Sequence, residues 1–163
     1  MNRRSFLGLS AASLATLSLA SEAEGAAPTD PGRVFLSERQ HATLAALAEV
    51  VNPKVDAFPS ASALDIAGKL DGLFARMEPG RAAELAQALD LVGGGFLGLL
   101  IARRTERFVR LSPSEQAAEW AAWAASDSPL RLSVHKAFTN LCAATYWACP
   151  ETWPAVGYPG PPL

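Results

Sequence analysis

The stretch LSPSEQAAEWAAWAAS, residues 111–126, constrains the fold most, because it contains a complete signal for the start of an α-helix. Ser112 can accept a hydrogen bond from the first turn, and Glu115 stands three residues later, where its side chain can bond back to the cap. Pro113 suits the first helical position, because the amide hydrogen that it lacks has no partner there. The stretch therefore predicts a helix that begins at residue 113.

Similar start and stop signals divide the rest of the chain into helices. Alanine and leucine dominate the composition and β-branched residues are sparse, which favours helices over sheet. The predicted helices run from a cap at Ser37 to Val51 before Asn52-Pro53, from a cap at Ser62 to residues 78–80, over about residues 81–108, from residue 113, and from Ser128-Pro129 to Trp147. We therefore predict an all-α fold, a small single-domain helical bundle of about five helices.

The ends of the chain differ from this body in composition. Residues 1–27 are predicted to be an export signal and the start of a linker, and residues 28–148 the helical domain. Several prolines follow, and proline can neither donate a backbone hydrogen bond nor continue a helix. An extended Pro-rich C-terminal tail is therefore predicted over residues 149–163.

Three consecutive glycines, Gly93, Gly94 and Gly95, interrupt the third predicted helix. Together they lower helix propensity by about 3 kcal/mol relative to alanine. A phosphate-binding loop is one interpretation, but the spacing and the Lys-Ser/Thr pair of a P-loop are missing. We favour the alternative, which is close backbone packing against another helix or a partner, or a bend.

Charge and hydropathy exclude two classes of partner. The formal net charge is −2, whereas a nucleic-acid-binding protein would normally present a basic face. The longest apolar run of the body, residues 91–101, is shorter than the ~20 residues that cross a bilayer. We expect no nucleic-acid partner, and contact with a membrane only through other proteins.

Few side chains offer catalytic or metal-binding chemistry. His41 and His135 lie on different predicted helices, so a solvated or hydrogen-bonded histidine is expected more than a metal ligand or general base. The scattered carboxylates, Asp71 among them, are placed like ordinary surface charges of helices. No catalytic, cofactor-binding or metal-binding residue is predicted in this chain.

Cys142 and Cys149 are seven residues apart, which on a continuous helix separates their Cα atoms by about 10 Å, too far for a disulfide. A helix that ends before Cys149 could bring them closer. An internal bridge, a bridge from Cys149 to a partner, and an unbridged Cys142 buried as a small apolar residue all stay open. We favour a buried Cys142 and a Cys149 that is available to a partner.

The first residues, MNRRSFLGLS, have the pattern of a twin-arginine export signal. Arg3 and Arg4 are followed by Phe6 and Leu7 and then by a weakly apolar stretch. A weak apolar stretch suits the pathway that carries folded cargo, and small residues up to residue 27 offer several cleavage sites. The predicted location is the periplasm.

The leader, the aromatic helix from Ser112 and the tail together resemble the gluconate 2-dehydrogenase subunit 3 family, the small γ-type subunits of bacterial membrane-associated flavin dehydrogenases. The similarity is strongest over residues 112–162 and weaker over residues 44–102, where mainly the helix order and the Asn52-Pro53 break match. It rests on Trp123, Ser126, Tyr146-Trp147, Trp153 and the closing Gly157-Tyr158-Pro159-Gly160-Pro161.

The resemblance implies a non-catalytic accessory subunit. Members of the family bind and stabilise a large FAD-dependent dehydrogenase of the glucose-methanol-choline type, which lacks an export signal, and they supply the twin-arginine leader for both chains. FAD is then expected in the partner and no cofactor in this chain. A cytochrome c subunit often completes such a complex.

Large aromatic side chains are the predicted anchors of the partner interface, because interface energy concentrates in such groups. Two of them, Trp120 and Trp123, share one helical face, an arrangement more typical of a core than of a docking surface. The residues predicted to contact the partner are Trp120, Trp123, Trp147, Cys149, Trp153 and Tyr158. The alternative hypothesis is an independent periplasmic helical protein that binds a partner or a cofactor.

Overall fold

The computed structural model describes residues 33–55, 57–94 and 107–160. Within these ranges the chain forms only helices and loops, which confirms the predicted all-α class. The α-helices are α1 (Glu38–Val51), α2 (Ile66–Phe74), α3 (Pro79–Gly93), α4 (Pro113–Ala124) and α5 (Pro129–Trp147), and single 3-10 turns lie at Phe108–Arg110, Pro150–Thr152 and Pro154–Val156. The predicted export signal, with Arg3, Arg4, Phe6 and Leu7, lies outside the described residues.

Two helices, α1 and α4, have a complete capping signal, and both begin where the sequence predicts. At the start of α4 the Ser112 backbone N–H donates to Glu115 Oε2 over 2.8 Å, and the Ser112 hydroxyl accepts from the Glu115 N–H. Hydrogen bonds from the Ser112 hydroxyl and then from its backbone lower the pKa of Glu115. Ser37 and Gln40 form the same reciprocal pair at the start of α1. Both starts are therefore confirmed.

The start of α2 differs from the prediction. Ser62 does not cap it, because residues 61–65 form turns and the Ser62 hydroxyl pairs with the hydroxyl of Ser60 over 3.1 Å. The Ser62 backbone N–H donates to the carboxylate of Glu49 on α1 over 2.7 Å. Asp65 caps the helix instead, with its side chain accepting from the N–H of Gly68. The helix consequently begins four residues after Ser62.

The glycine run ends α3, so the predicted helix over residues 81–108 is too long. A Cβ atom on Gly93 would lie 2.8 Å from Oγ1 of Thr43, which means that the α3 backbone packs directly on α1. Gly94 has a left-handed φ of 75° and terminates the helix. The close-packing interpretation is therefore correct at Gly93, while Gly95 lies outside the described residues.

Gly93→Ala should lower the free energy of unfolding by about 1–3 kcal/mol, because the added methyl group overpacks the contact with Thr43. Gly72→Ala on α2 is the matched control, since a Cβ there meets nothing within 4 Å, and it should stabilise the chain by up to about 1 kcal/mol through helix propensity. Urea denaturation followed by circular dichroism measures both. Equal stability of Gly93→Ala and wild type would contradict the close contact.

The first helix is the centre of the bundle. Among the described elements, α1 packs against α2, α3, α4 and α5, while α5 also packs on α2 and α4. The largest fully buried side chains of this core include Leu44, Leu47, Ile66, Leu70, Phe74, Leu89, Phe108, Trp123 and Phe138. In the described ranges no helix is long and apolar enough to cross a bilayer.

A buried carboxylate ties the N-terminal segment to this core. Asp71 on α2 is completely inaccessible to solvent. It accepts the backbone N–H groups of Val34 over 2.6 Å, Phe35 over 3.1 Å and Leu36 over 2.7 Å. The expectation that Asp71 is an ordinary surface charge is wrong. Three backbone donors replace the hydrogen bonds to water that the carboxylate loses when it is buried.

Candidate partner-interaction surface

The segment after α5 folds back against the bundle. It is Pro-rich and its described residues form no α-helix, as predicted, but residues 150–156 make two 3-10 turns where an extended backbone was expected. Each turn begins at a proline, whose fixed φ suits a first helical position. Buried Thr152 closes the first turn by donating its hydroxyl to the carbonyl of Cys149 over 2.8 Å.

Two pairs of aromatic rings lie at this end of the molecule, and we call the four residues the aromatic surface: Phe58, Trp147, Trp153 and Tyr158. Phe58 packs edge-on against Trp147 with ring centroids 5.7 Å apart, and Trp153 packs in the same way against Tyr158 at 5.3 Å. The indole N–H of Trp153 donates to the carbonyl of Trp147 over 3.0 Å and joins the two pairs. Trp147 and Tyr158 remain 47% and 46% exposed.

Polar contacts beneath the surface hold these rings in place. The hydroxyl of Tyr146 donates to the carbonyl of Pro59 over 2.7 Å and fastens the Phe58 loop to α5. Burial raises the pKa of Tyr146 further above its ordinary range. Gly160, with φ of 101°, lies so close to the Trp153 ring that a Cβ would be 3.3 Å away. The aromatic surface is therefore preorganised.

Two predicted interface residues lie in the core instead. Trp123 is 1% exposed and stacks on Trp120 at a centroid distance of 5.9 Å. Trp120 donates to Thr139 Oγ1 over 3.2 Å, and Trp123 donates to Glu119 Oε1 over 3.0 Å. The helical face that carries the pair is the one that packs on α5. Their assignment as surface anchors is therefore corrected, in favour of the core alternative.

The cysteines also differ from part of the prediction. Cys142 is buried as predicted, and burial raises the pKa of its thiol to about 12. Cys149 is only 4% exposed, and its thiol donates to the carbonyl of Thr145 over 3.3 Å. The two are unbridged. Cys149 is thus not presented to a partner, because the turn that follows α5 covers it.

The histidines lie in separate places. His135 stacks on Trp120 with ring centroids 4.7 Å apart, and burial lowers its pKa. His41 lines a groove of about 750 Å³ between α1, the turn before α2, and α4. Over the described ranges, no three His, Cys, Asp or Glu side chains are grouped closely enough to hold a metal ion.

Two features of the structure, the position of Phe58 and the groove, had no signal in the sequence. Phe58 stood in a predicted loop, and only the fold brings it to Trp147. The groove is lined mainly by small and apolar side chains, with His41, Glu49 and Asp65 as its ionisable groups. Its walls come from three separate elements, so no local pattern could have predicted it.

Comparison of the chain with protein-family models, with curated proteins and with solved structures found no match. The class that the structure defines is therefore a small all-α domain with an exposed, preorganised aromatic surface at its C-terminal end.

Proposed function

We propose that this chain is a non-catalytic small subunit that binds and stabilises a large FAD-dependent sugar or alcohol dehydrogenase of the gluconate type and co-exports it through the twin-arginine pathway. The observation that carries the proposal is the aromatic surface. FAD and the substrate site belong to the partner, and a cytochrome c subunit is a further partner. The complex acts in the periplasm and contacts the membrane only through partners.

The physical support comes from exposed aromatic area. Two large rings, Trp147 and Tyr158, are nearly half exposed on the isolated chain and are continuous with Trp153 and Phe58. Tryptophan and tyrosine are enriched among the residues that dominate binding energy. Because internal contacts already hold the rings, association costs less side-chain entropy than it would on a mobile surface.

The sequence supplies the rest of the argument. The paired arginines Arg3 and Arg4 match a leader for folded cargo, and residues 112–162 resemble the small subunits of flavin dehydrogenases. Three residues on which that resemblance rests, Trp147, Trp153 and Tyr158, are among the four that form the aromatic surface. An accessory subunit needs both a leader and a contact surface, and needs no catalytic group.

The groove favours a second candidate function, an independent periplasmic protein that binds a cofactor or another small ligand. Its volume of about 750 Å³ falls in the range of small-molecule sites. A visible absorbance band of the isolated chain, without a second polypeptide, would support this candidate against the accessory subunit.

Trp147→Ala should reduce the affinity for the co-purifying flavoprotein at least tenfold, because removing a central aromatic anchor costs about 2 kcal/mol or more. Leu130→Ala is the matched control: this side chain is 43% exposed at the opposite end of α5, and its loss should leave the affinity unchanged. Biolayer interferometry with the purified flavoprotein measures both, after circular dichroism has shown that each variant is folded. Equal affinities would exclude the aromatic surface as the interface.

A further inference from the structure

A lysine amine and a cysteine thiol are in direct contact at the base of the C-terminal segment. Nζ of Lys69 on α2 lies 3.2 Å from Sγ of Cys149, eighty positions later in the chain. The thiol is buried and points its hydrogen at the carbonyl of Thr145. The Lys69 residue is exposed and its contact with the thiol is part-buried, so the pair lies at the edge of the protein surface.

We propose that Lys69 and Cys149 are an oxidative modification site, where dioxygen joins them through a single oxygen atom as an Nζ–O–Sγ cross-link. One N–H bond, the S–H bond and the O=O bond break, and N–O and O–S bonds form. The second oxygen atom leaves as water with the two displaced hydrogens. Nitrogen and sulfur each lose two electrons and dioxygen gains four, so the step is balanced without a further reagent.

The surroundings favour this product over the usual fates of a thiol. A disulfide requires a second thiol to reach Sγ, but Cys149 is 4% exposed and Cys142 is unbridged and fully buried. Sulfinic acid requires two successive oxidations of the sulfur, whereas the cross-link requires one dioxygen molecule at the nitrogen–sulfur contact. The amine of Lys69 is already within hydrogen-bonding distance of that sulfur.

The cross-link would have a structural consequence. It would join α2 covalently to the residue from which the segment carrying Trp153 and Tyr158 departs. A reduced chain holds this junction by core packing and hydrogen bonds, and an oxidised chain would hold it covalently until a thiol reductant cleaved the bridge. Formation of the cross-link does not depend on the proposed dehydrogenase partner.

The test is intact-mass measurement of the full chain, purified with reductant under nitrogen and then exposed to air in buffer. Addition of one oxygen and loss of two hydrogens should raise the mass by about 14 Da, and dithiothreitol should reverse it. Peptide mapping of the wild-type chain should place the gain on a peptide that joins Lys69 to Cys149. This mapping keeps the test decisive even if a variant fails to fold.

Three variants serve as controls. Lys69→Arg keeps the positive charge without a reactive primary amine, and Cys149→Ser removes the sulfur, so neither should gain this mass. Cys142→Ala should behave like the wild type. An unchanged wild-type mass, a gain of oxygen alone, a loss of two hydrogens alone, or the same gain in Lys69→Arg would each overturn the proposal.

Discussion

Asp71→Ala should lower the free energy of unfolding by about 3–5 kcal/mol, the range expected when one member of a buried charged network is removed. The carboxylate is fully buried and is the acceptor for the N–H groups of Val34, Phe35 and Leu36. Its loss leaves these donors without their partner. Two of the three residues are exposed, so water can replace part of the loss, which keeps the cost below the sum of three charged hydrogen bonds.

Urea denaturation followed by tryptophan fluorescence measures this effect. Asp71→Asn should lose less than Asp71→Ala, because the amide oxygen still accepts hydrogen bonds although it carries no charge. Asp90→Ala is the control: this partly exposed carboxylate pairs with Arg39 over 3.4 Å and accepts from the Gln40 amide over 2.8 Å, and its loss should cost about 1–2 kcal/mol. A loss for Asp71→Ala no larger than that for Asp90→Ala would contradict the anchoring role.

Trp123→Ala should also cost about 3–5 kcal/mol of unfolding free energy, the range for removing a large aromatic side chain from a core. The ring is 1% exposed, stacks on Trp120 and lies 5.4 Å from the guanidinium of Arg131. Truncation would leave a cavity between α4 and α5 and would remove the hydrogen bond that the indole N–H donates to Glu119.

Trp147→Ala is the matched comparison, since it makes the same chemical change at a residue that is 47% exposed. It should cost less than about 2 kcal/mol, because less apolar area returns to water and no closed cavity forms. Thermal and urea unfolding of the two variants give the difference. Similar losses for both would contradict the assignment of Trp123 to the core and Trp147 to the surface.

Local signals in the sequence were sufficient for the helix starts that carry a complete cap, but not for the ends of α2 and α3. The prediction placed these ends at residues 78–80 and at residue 108, and the structure places them at Phe74 and Gly93. The capping boxes at Ser37 and Ser112 depend on residues three positions apart, and both helices begin there. The start of α2 lies later than predicted, because residues 61–65 form turns and Asp65 caps the helix; this stretch is also tied to α1 by the bond from the Ser62 N–H to Glu49. A contact between residues so far apart along the chain has no local signature.

At the candidate site, too, local patterns were predictable and contacts between distant residues were not. Helical spacing places Trp120 and Trp123 on one face, but only packing decides that this face is buried against α5. The prolines after α5 predicted a non-helical segment, and the 3-10 turns that cover Cys149 depend on its contacts with the bundle. Asp71 was missed because a carboxylate on an amphipathic helix gives no sign of the backbone donors that reach it.

The most direct measurement for the account is a pull-down from the periplasmic fraction of the native host, with an affinity tag joined by a flexible linker after Leu163, followed by a visible absorbance spectrum of the eluate. If the chain is an accessory subunit, the eluate should contain a second, larger chain and show the absorbance bands of FAD. A colourless eluate that contains this chain alone would contradict the accessory-subunit function.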